Sequence, residues 1–471
     1  MIFQKANIDK ASPVDAPSGA ARTWPDCMRA GSELARSGKP AEAAAMFARA
    51  LELRPGHVPA LHDLGAVLLR SGAPARALAV FDAALKLAAN NTDCLHGRGL
   101  ALHALGDVSA AMGAFRNAAA SDPKAWKTWQ SMADTAPDEP ERVFAVRSAA
   151  DVLERLCLED RAPASLFDRC SRALVDAHRF EDAVHFAETH RARFRDLAAA
   201  HNAEARAHYN IGAFRAAFRH KALALAHLET RGLPQTFRPS AFDPGDAARA
   251  LRAFSEILRA QGIVHFLAAG TLLGFHRNGR PLPHDRDIDI GVLRAADGSP
   301  DIAGLLRTHP GLICPRAARP GERYFGTVFQ GTAIDIFLHD ARDGALVCGL
   351  GDLKGDIQWR FSAFGLVSQT YQGEAWSVPD DRERYLSETY GPSWRTPDKG
   401  FASAISSPAL YKTDDFTRAY YAAARAANAL MAGDTEKARA LVRQSPISFA
   451  LPPLPGDVNL NTQTAEGPGM V

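Results

Sequence analysis

The chain has 471 residues, a formal net charge of +2 and 46% hydrophobic residues. This length exceeds what one hydrophobic core usually organises, so the sequence predicts two or three domains of ordinary globular composition. Because Lys and Arg are nearly balanced by Asp and Glu, the charge gives no argument for a nucleic acid or an anionic membrane as partner.

No targeting segment and no membrane span is indicated by the sequence. Residues 1–24 contain charged residues, Pro, Gly and Ser without an apolar core, so they are predicted to be a disordered leader rather than a secretory signal. No segment approaches the roughly 18 apolar residues that a transmembrane helix needs. The six scattered cysteines form no Cys-x-x-Cys pair, which argues against a disulfide framework or a Cys-rich zinc site. We therefore expect a cytoplasmic protein with no transmembrane segment.

A repeat with a period of about 34 residues runs through the N-terminal region. Small residues, turn glycines and a phenylalanine recur at fixed positions: Gly31, Gly65 and Gly99; Gly38, Gly72 and Gly106; Ala43, Ala77 and Ala111; Phe47, Phe81 and Phe115; Ala50, Ala84 and Ala118. Small residues let paired helices approach closely, while the phenylalanine fills the layer between successive pairs. The pattern is identified as tetratricopeptide repeats. Clear copies are expected over residues 25–125 and degenerate ones over 126–230, giving an all-α solenoid whose concave face binds a protein partner.

The rest of the chain divides at changes of composition and periodicity. Gly and Pro interrupt the helical pattern over residues 231–245, which predicts a linker. A second domain is expected over residues 246–400, followed by a helical segment over 401–445. Residues 446–471 are rich in Pro, Gly, Asn and Thr and are predicted to be a disordered tail.

Two short acidic segments in the second domain predict neighbouring strands. Asp287 and Asp289 alternate with isoleucines, and Asp335 lies between two isoleucines. Since side chains alternate along a strand, Asp287 and Asp289 should project to one face, and an adjacent strand could bring Asp335 close to them. Converging carboxylates repel one another unless a cation joins them, and their oxygens suit Mg²⁺ or Mn²⁺.

A glycine-containing turn before the first acidic strand could form the other half of such a site. Gly270 and Thr271 follow a short apolar segment, where a sharp turn would bring backbone N–H groups close to a phosphate. The following residues predict a helix that includes Gly274 and whose N-terminus favours an anion. Arg277 lies further along this helix; it could reach the same phosphate, or be a cap or a surface residue.

This ordered set of motifs resembles the nucleotidyltransferase fold and, within it, the LicD and fukutin family of phosphotransferases. The matching blocks are residues 270–274 with Arg277, Gly279 and Pro283; Asp285, Asp287 and Asp289; Ile334, Asp335, Ile336 and Phe337; and Tyr390, Gly391, Trp394 and Pro397. Two positions depart from the family pattern, because His284 stands in place of its Trp and Arg286 in place of its middle Asp. The resemblance covers roughly residues 245–400 and implies an α/β (α+β) domain with a small mixed sheet.

The resemblance also implies a reaction. A phosphocholine or phospho-alditol group would pass from a CDP-activated donor to a glycan hydroxyl, in the synthesis of a surface polysaccharide or glycoconjugate. Asp287 and Asp289 would hold Mg²⁺ or Mn²⁺, with Asp335 as a further metal ligand or as the proton acceptor. The donor phosphate would be contacted by the turn and the helix that follows it, through Gly270, Thr271, Gly274 and Arg277.

Two other functions are compatible with parts of the sequence. The protein could be a tetratricopeptide interaction adaptor with a catalytically inactive transferase-like domain, and Arg286 favours this alternative if its charge replaces a metal ion. The three intact aspartates weigh against it. A template or tRNA nucleotidyltransferase would need a basic groove or stacking aromatic residues, and the sequence shows neither, so we expect no nucleic acid partner.

Overall fold

The structure, a computed structural model, describes residues 23–230, 233–234, 242–283, 285–309 and 311–453. The predicted leader falls almost wholly outside these residues, as do His284, most of the predicted linker and the predicted tail beyond residue 453.

The first of two units extends to Ala136 and is helical in its described part. Its helices are α1 (Trp24–Arg36), α2 (Pro40–Leu53), α3 (Val58–Arg70), α4 (Pro74–Leu87), α5 (Thr92–Ala104), α6 (Val108–Ser121) and α7 (Trp126–Thr135). Each helix packs against the next one along the chain. This arrangement confirms the predicted helical repeats.

A phenylalanine and a facing glycine set the distance between helices in each repeat. Phe81 is fully buried, and a Cβ atom on Gly65 or Gly97 would lie only 2.6 or 2.4 Å from its ring. Carbon atoms do not approach this closely without displacing the ring, so these positions need glycine. The same contact recurs in the neighbouring repeats, between Phe47 and Gly31 and between Phe115 and Gly99.

The second unit starts at Pro137 with helices that precede the sheet. They are α8 (Glu139–Cys157), α9 (Ala164–Asp176), α10 (Phe180–Thr189), α11 (Leu197–Asn210), α12 (Phe214–Ala226) and α13 (Pro244–Ala260), with a 3-10 turn at Arg191–Arg193.

Long-range contacts group α8–α12 with the sheet, although the sequence pattern assigns them to the repeat solenoid. The buried side chain of Arg142, on α8, donates a hydrogen bond of 3.2 Å to the carbonyl oxygen of Pro315. Tyr209, on α11, donates one to the carboxylate of Asp356. Such contacts join residues far apart in sequence, and both lie within the second compact unit, which starts at Pro137.

The sheet of the second unit is mixed and small, as predicted. Its strands are β1 (His265–Leu267), β2 (Asp287–Arg294), β3 (Tyr324–Phe329), β4 (Thr332–Arg342), β5 (Ala345–Gly349) and β6 (Gln358–Ser362), and β7 (Leu366–Tyr371) and β8 (Glu374–Pro379) form a separate pair. The order is β1-β2-β4-β5-β6, with β3 also paired to β4. Only β2 and β4 are parallel among the described strands.

The remaining helices frame this sheet. They are α14 (Ala269–Asn278), α15 (Ile302–Thr308), α16 (Arg382–Tyr390), α17 (Ser403–Ser406), α18 (Asp415–Met431) and α19 (Thr435–Gln444). The last two form a hairpin, and α18 packs on α12, where the rings of Phe218 and Phe416 lie 6.1 Å apart. In the part of the chain that the structure describes, no helix combines the length and the apolar character needed to cross a bilayer.

The apolar face of β2 and β4 forms the centre of the core. The isoleucines of both strands are fully buried and pack into one cluster with Phe254 of α13. Because side chains alternate along a strand, burial of the isoleucines turns the intervening aspartates to the opposite face. The core therefore determines which side of the sheet is acidic.

Replacing Phe81 with Ala should lower the free energy of unfolding of the first unit by about 3–5 kcal/mol, because the lost ring leaves a cavity that glycine backbones cannot fill. Urea denaturation of the full-length protein, followed by far-UV circular dichroism, measures this loss. Leu105→Ala is the control: its side chain is 47% exposed, and its loss should be within about 0.5 kcal/mol. Similar losses in the two variants would contradict the packing role of Phe81.

Candidate active site

The parallel pairing of β2 and β4 brings the predicted aspartates together. Asp289 lies directly opposite Asp335 in the register of the two strands, and Asp287 lies opposite Ala333. Asp287 and Asp289 are two residues apart on β2, so their side chains share a face. The structure thus places all three aspartates on one side of the sheet, where their carboxylates influence one another.

The start of α14 holds Asp289 from two directions. The backbone N–H of Gly270 donates a hydrogen bond of 2.8 Å to Oδ2 of Asp289. The backbone N–H of Asp289 in turn donates one of 2.8 Å to Oγ1 of Thr271. A Cβ atom at position 270 would lie 3.0 Å from the same Oδ2. Gly270 and Thr271 therefore fix the position of a carboxylate, whereas the sequence pattern suggests a phosphate contact for them.

The backbone at this helix start is itself unusual. Ala269 has a positive φ of 36°, in the region that favours glycine. Its N–H donates a hydrogen bond of 3.3 Å to the hydroxyl oxygen of Tyr385. Strained backbone of this kind persists where surrounding contacts enforce it, and here it aims the next N–H, that of Gly270, at Asp289.

Gly274 and Arg277 also make structural contacts. A Cβ atom on Gly274 would lie 2.8 Å from the carbonyl oxygen of Arg280, so this glycine allows the chain to fold back closely over α14. The guanidinium of Arg277 donates a hydrogen bond to the carbonyl oxygen of Trp394. Arg277 thereby ties α14 to the closing segment, and its positive charge also lowers the pKa of Asp285, against the larger effect of burial. A donor contact by either residue stays a prediction.

Asp285 and Tyr324 are part of the acidic cluster, although the sequence analysis assigned them no role. Oδ1 of Asp285 lies 3.7 Å from where a Cβ atom of Gly270 would be, and Oδ2 accepts a hydrogen bond of 3.3 Å from the N–H of Leu282. The hydroxyl of Tyr324 donates one of 2.9 Å to Oδ1 of Asp335. Asp285 occurs in the matched motif and could have been chosen; Tyr324 carries no comparable signal.

Burial and mutual repulsion raise the pKa of these carboxyl groups. Burial, followed by the charges of the other three aspartates, raises the pKa of Asp289 well above its usual range. Burial and the charge of Asp287 raise the pKa of Asp335 to about 6. Burial raises the pKa of Asp285 to about 6 and also raises that of Asp287. Four carboxyl groups that resist ionisation together are a site at which a cation would be stabilised.

Positive charge reaches the cluster from another part of the chain. Arg425 lies on α18, is exposed to solvent, and acts on both Asp287 and Asp335, where its charge opposes the rise in pKa that burial causes. Arg286, directly before β2, is also exposed, and its charge acts on Asp287 in the same direction. No local pattern links Arg425 to the aspartates, because α18 begins 80 residues after Asp335 and still further from the other aspartates.

The donor set fits a hard divalent cation. Its ligand atoms are carboxylate oxygens, which Mg²⁺ and Mn²⁺ prefer. A tighter group of possible ligands lies elsewhere in the described ranges. The ligand atoms of His201, Glu204 and His220 are all within 4.8 Å of one another, and the aspartates do not form such a group. Mg²⁺ is usually held by one or two carboxylates together with waters and phosphate oxygens, so it does not require three carboxylates to meet at one point.

Comparison with known families accounts for both parts of the chain. Residues 262–309 match the family described as LicD/FKTN/FKRP, nucleotidyltransferase domain, and residues 34–96 match a tetratricopeptide repeat family. The protein carries a LicD-type domain after tetratricopeptide repeats. This confirms the two resemblances seen in the sequence, and the matched LicD-type segment contains three of the four clustered aspartates, Asp285, Asp287 and Asp289.

Curated relatives resemble part of the chain at low identity. The ribitol-5-phosphate transferase FKTN of Mus musculus is 26% identical over 174 residues, which cover 34% of this chain and 36% of that protein. The Homo sapiens FKTN is 26% identical over 165 residues, covering 32% of this chain and 34% of its own length. The chain thus spans about a third of the length of the curated relatives it matches.

Among solved structures, MamA from Desulfovibrio magneticus RS-1 is 26% identical, covering 29% of this chain and 77% of that chain. The TM-score is 0.26, which is too low to carry an argument.

The stability of the metal-free protein should depend on the ionisation of Asp335. Its pKa rises from an ordinary value near 4 in an unfolded chain to about 6 in the folded protein. Its contribution to folding is therefore fully present below about pH 4 and is lost as the pH rises through about 6. Asp335→Asn cannot ionise and should avoid this loss.

Thermal unfolding in the presence of a chelator tests this expectation. Between about pH 4 and pH 7.5, the free energy of unfolding of Asp335→Asn should gain on the order of 1 kcal/mol relative to that of the wild type. The exposed Asp343 provides a control, and Asp343→Asn should follow the wild type at every pH. A parallel pH dependence for Asp335→Asn and wild type would refute the repulsion at this site.

Proposed function

We propose that the LicD-type domain is a metal-dependent phosphotransferase. It moves a phospho-alditol or phosphocholine group from a CDP-activated donor to a hydroxyl of a glycan. The observation that carries this proposal is that the charges of Asp285, Asp287 and Asp335 act on Asp289, whose carboxylate accepts a hydrogen bond from the start of α14. Three of these four aspartates lie within the segment that matches the family. The name of the mouse relative, a ribitol-5-phosphate transferase, makes a CDP-alditol the first donor to test.

Asp287 and Asp289 are the proposed ligands of Mg²⁺ or Mn²⁺. A divalent ion held there would neutralise charge on the donor diphosphate and on the departing CMP. The N–H of Gly270 donates to Oδ2 of Asp289, so Oδ1 of that carboxylate takes no part in this hydrogen bond. The contacts of α14 would therefore orient a metal ligand, while the N-terminus of the helix adds a favourable field for negative charge.

Asp335 is the proposed proton acceptor or a further metal ligand. In the transfer step, the acceptor hydroxyl oxygen forms a bond to the donor phosphorus nearest the alcohol, the bond from that phosphorus to the CMP oxygen breaks, and CMP leaves as an anion. The proton of the hydroxyl passes to the carboxylate of Asp335. Without a cation, burial and the charge of Asp287 raise the pKa of Asp335 to about 6. A bound cation would lower this pKa, so the group is deprotonated at neutral pH and able to accept the proton.

Arg425 is the proposed contact for the remaining negative charge of the donor. Arg425 is an exposed residue, and its charge acts on the aspartates. Arginine binds phosphate oxygens in a bidentate manner, so this side chain is better suited to the role than Arg277, whose guanidinium contacts the Trp394 carbonyl.

The repeats of the first unit are proposed to bind a protein partner, as such solenoids commonly do.

A donor screen tests the proposed reaction. CDP-ribitol, CDP-glycerol and CDP-choline would each be incubated with wild-type protein, with Mg²⁺ or with a chelator, and CMP release followed. Replacing both Asp287 and Asp289 with Asn should lower metal-dependent CMP release by at least about 100-fold, because the proposed charge stabilisation is lost. Asp343→Asn, at an exposed turn, should retain wild-type activity. Folded protein that releases no CMP from any donor would contradict the proposal and favour the adaptor function.

Tyr324→Phe tests whether Asp335 acts in the transfer step rather than in substrate binding. The variant removes the hydrogen bond that Tyr324 donates to Asp335. Because this hydrogen bond lowers the pKa of the Asp335 carboxyl, its loss should raise that pKa. We expect kcat to fall about 10-fold with little change in KM, and the acidic limb of the pH–rate profile to move to higher pH. Tyr371→Phe is the matched control, since the buried hydroxyl of Tyr371 has no hydrogen-bond partner in the described structure. An unchanged pH profile in Tyr324→Phe would exclude the proposed role of Asp335 as base.

A further inference from the structure

We propose that His201, Glu204 and His220 form a second metal site, specific for a transition metal ion of the Zn²⁺ class. The site lies between α11 and α12, outside the matched LicD-type segment. His201 and Glu204 are three residues apart on α11, so they share a helix face. His220 faces them from α12.

Three ligand atoms converge on one point. Oε2 of Glu204 lies 2.7 Å from Nδ1 of His201 and 2.6 Å from Nδ1 of His220. The two ring nitrogens lie 3.2 Å from each other. Ligand atoms bound tetrahedrally to zinc at 2.0–2.1 Å stand about 3.3 Å apart, so the nitrogens already have a suitable spacing. The carboxylate oxygen would need to withdraw by about half an ångström.

Burial distinguishes this cluster from ordinary surface pairs. Glu204 is fully buried, and the side chains of His201 and His220 are 9% and 12% exposed. Two ring nitrogens that face each other at 3.2 Å cannot both point a proton at the other. Either the ring protons are shared among the two rings and the carboxylate oxygen, or a cation takes the place of those protons. The experiment below distinguishes these two states.

Neighbouring side chains orient the three proposed ligands and add a further nitrogen close to them. Arg191 donates a hydrogen bond of 2.6 Å from Nε to Oε1 of Glu204, which orients the carboxylate and leaves Oε2 for a metal. The ring of His208 stacks on that of His220, with centroids 5.3 Å apart. Nδ1 of His208 is buried and has no hydrogen-bond partner in the described structure, so a further imidazole nitrogen lies close to the cluster.

The donor atoms select a different ion from the aspartate cluster. Two imidazoles and one carboxylate suit Zn²⁺, Co²⁺ or Ni²⁺, whereas carboxylates alone suit Mg²⁺. A transition metal bound here would fasten α11 to α12. Since α12 packs on α18, the ion would indirectly stabilise α18, which carries Arg425, without entering the transfer step.

Metal binding by full-length protein tests the proposal. The purified protein would be stripped with a chelator, returned to buffer with excess Mg²⁺ to occupy carboxylate sites, and titrated with Zn²⁺ against a chromophoric chelator. We expect about one equivalent of Zn²⁺ to bind and to raise the melting temperature, and Co²⁺ to give the visible absorption of a four-coordinate site. Failure of folded wild-type protein to bind Zn²⁺ under these conditions would overturn the proposal.

Variants locate the ion. His220→Asn and Glu204→Gln should each weaken Zn²⁺ binding by at least about 100-fold, because each removes a ligand. His103→Asn, at an exposed position on α5, should bind Zn²⁺ as the wild type does. Folded variants that retain wild-type affinity would place the ion elsewhere and refute the assignment.

Wild-type protein also gives an answer if the variants do not fold. X-ray absorption of the Zn²⁺-loaded wild type should show a shell of nitrogen and oxygen with the scattering of imidazole rings. A sulfur shell would assign the ion to cysteine and contradict the proposed site. CMP release in Mg²⁺ alone is expected to persist without Zn²⁺, so the outcome is independent of the proposed transferase activity.

Discussion

Repulsion among neighbouring carboxylates is the constraint on which the candidate active site depends. The parallel register of β2 and β4 sets Asp289 opposite Asp335, and the buried isoleucines leave these side chains no other face to occupy. The protein offsets part of the repulsion with the N–H of Gly270 and the hydroxyl of Tyr324. The remaining cost appears as raised pKa values, and a bound cation would relieve it.

The helices before the sheet also bear on the charge balance at the aspartates. They contact segments beside the sheet, as in the hydrogen bond of Arg142 with the Pro315 carbonyl, and α12 packs on α18. That support brings the positive charge of Arg425 to bear on the aspartates. The proposed transition metal site between α11 and α12 would strengthen this support from a distance. Two ion sites of different donor chemistry would thus serve different purposes, one for the reaction and one for the framework.

Local patterns in the sequence predicted a large part of this architecture. The phenylalanine and glycine positions of the repeats, the alternation of Asp287 and Asp289 with isoleucines, and the mixed sheet all follow from side-chain periodicity and burial. The resemblance to LicD-type domains also rests on short contiguous motifs, and the family comparisons agree with it. Such features depend on residues close together in the chain, so they can be recognised without a structure.

Long-range packing decided the rest. The sequence could not reveal that the first turn of α14 would hold a carboxylate, that Arg277 would contact the Trp394 carbonyl, or that the two units would separate before Pro137. Arg425, Tyr324 and the His201, Glu204 and His220 cluster carry no signal until distant elements meet. The physical reason is that periodicity determines which face of a helix or strand is buried, whereas the partner of that face is chosen by packing among elements distant in the chain.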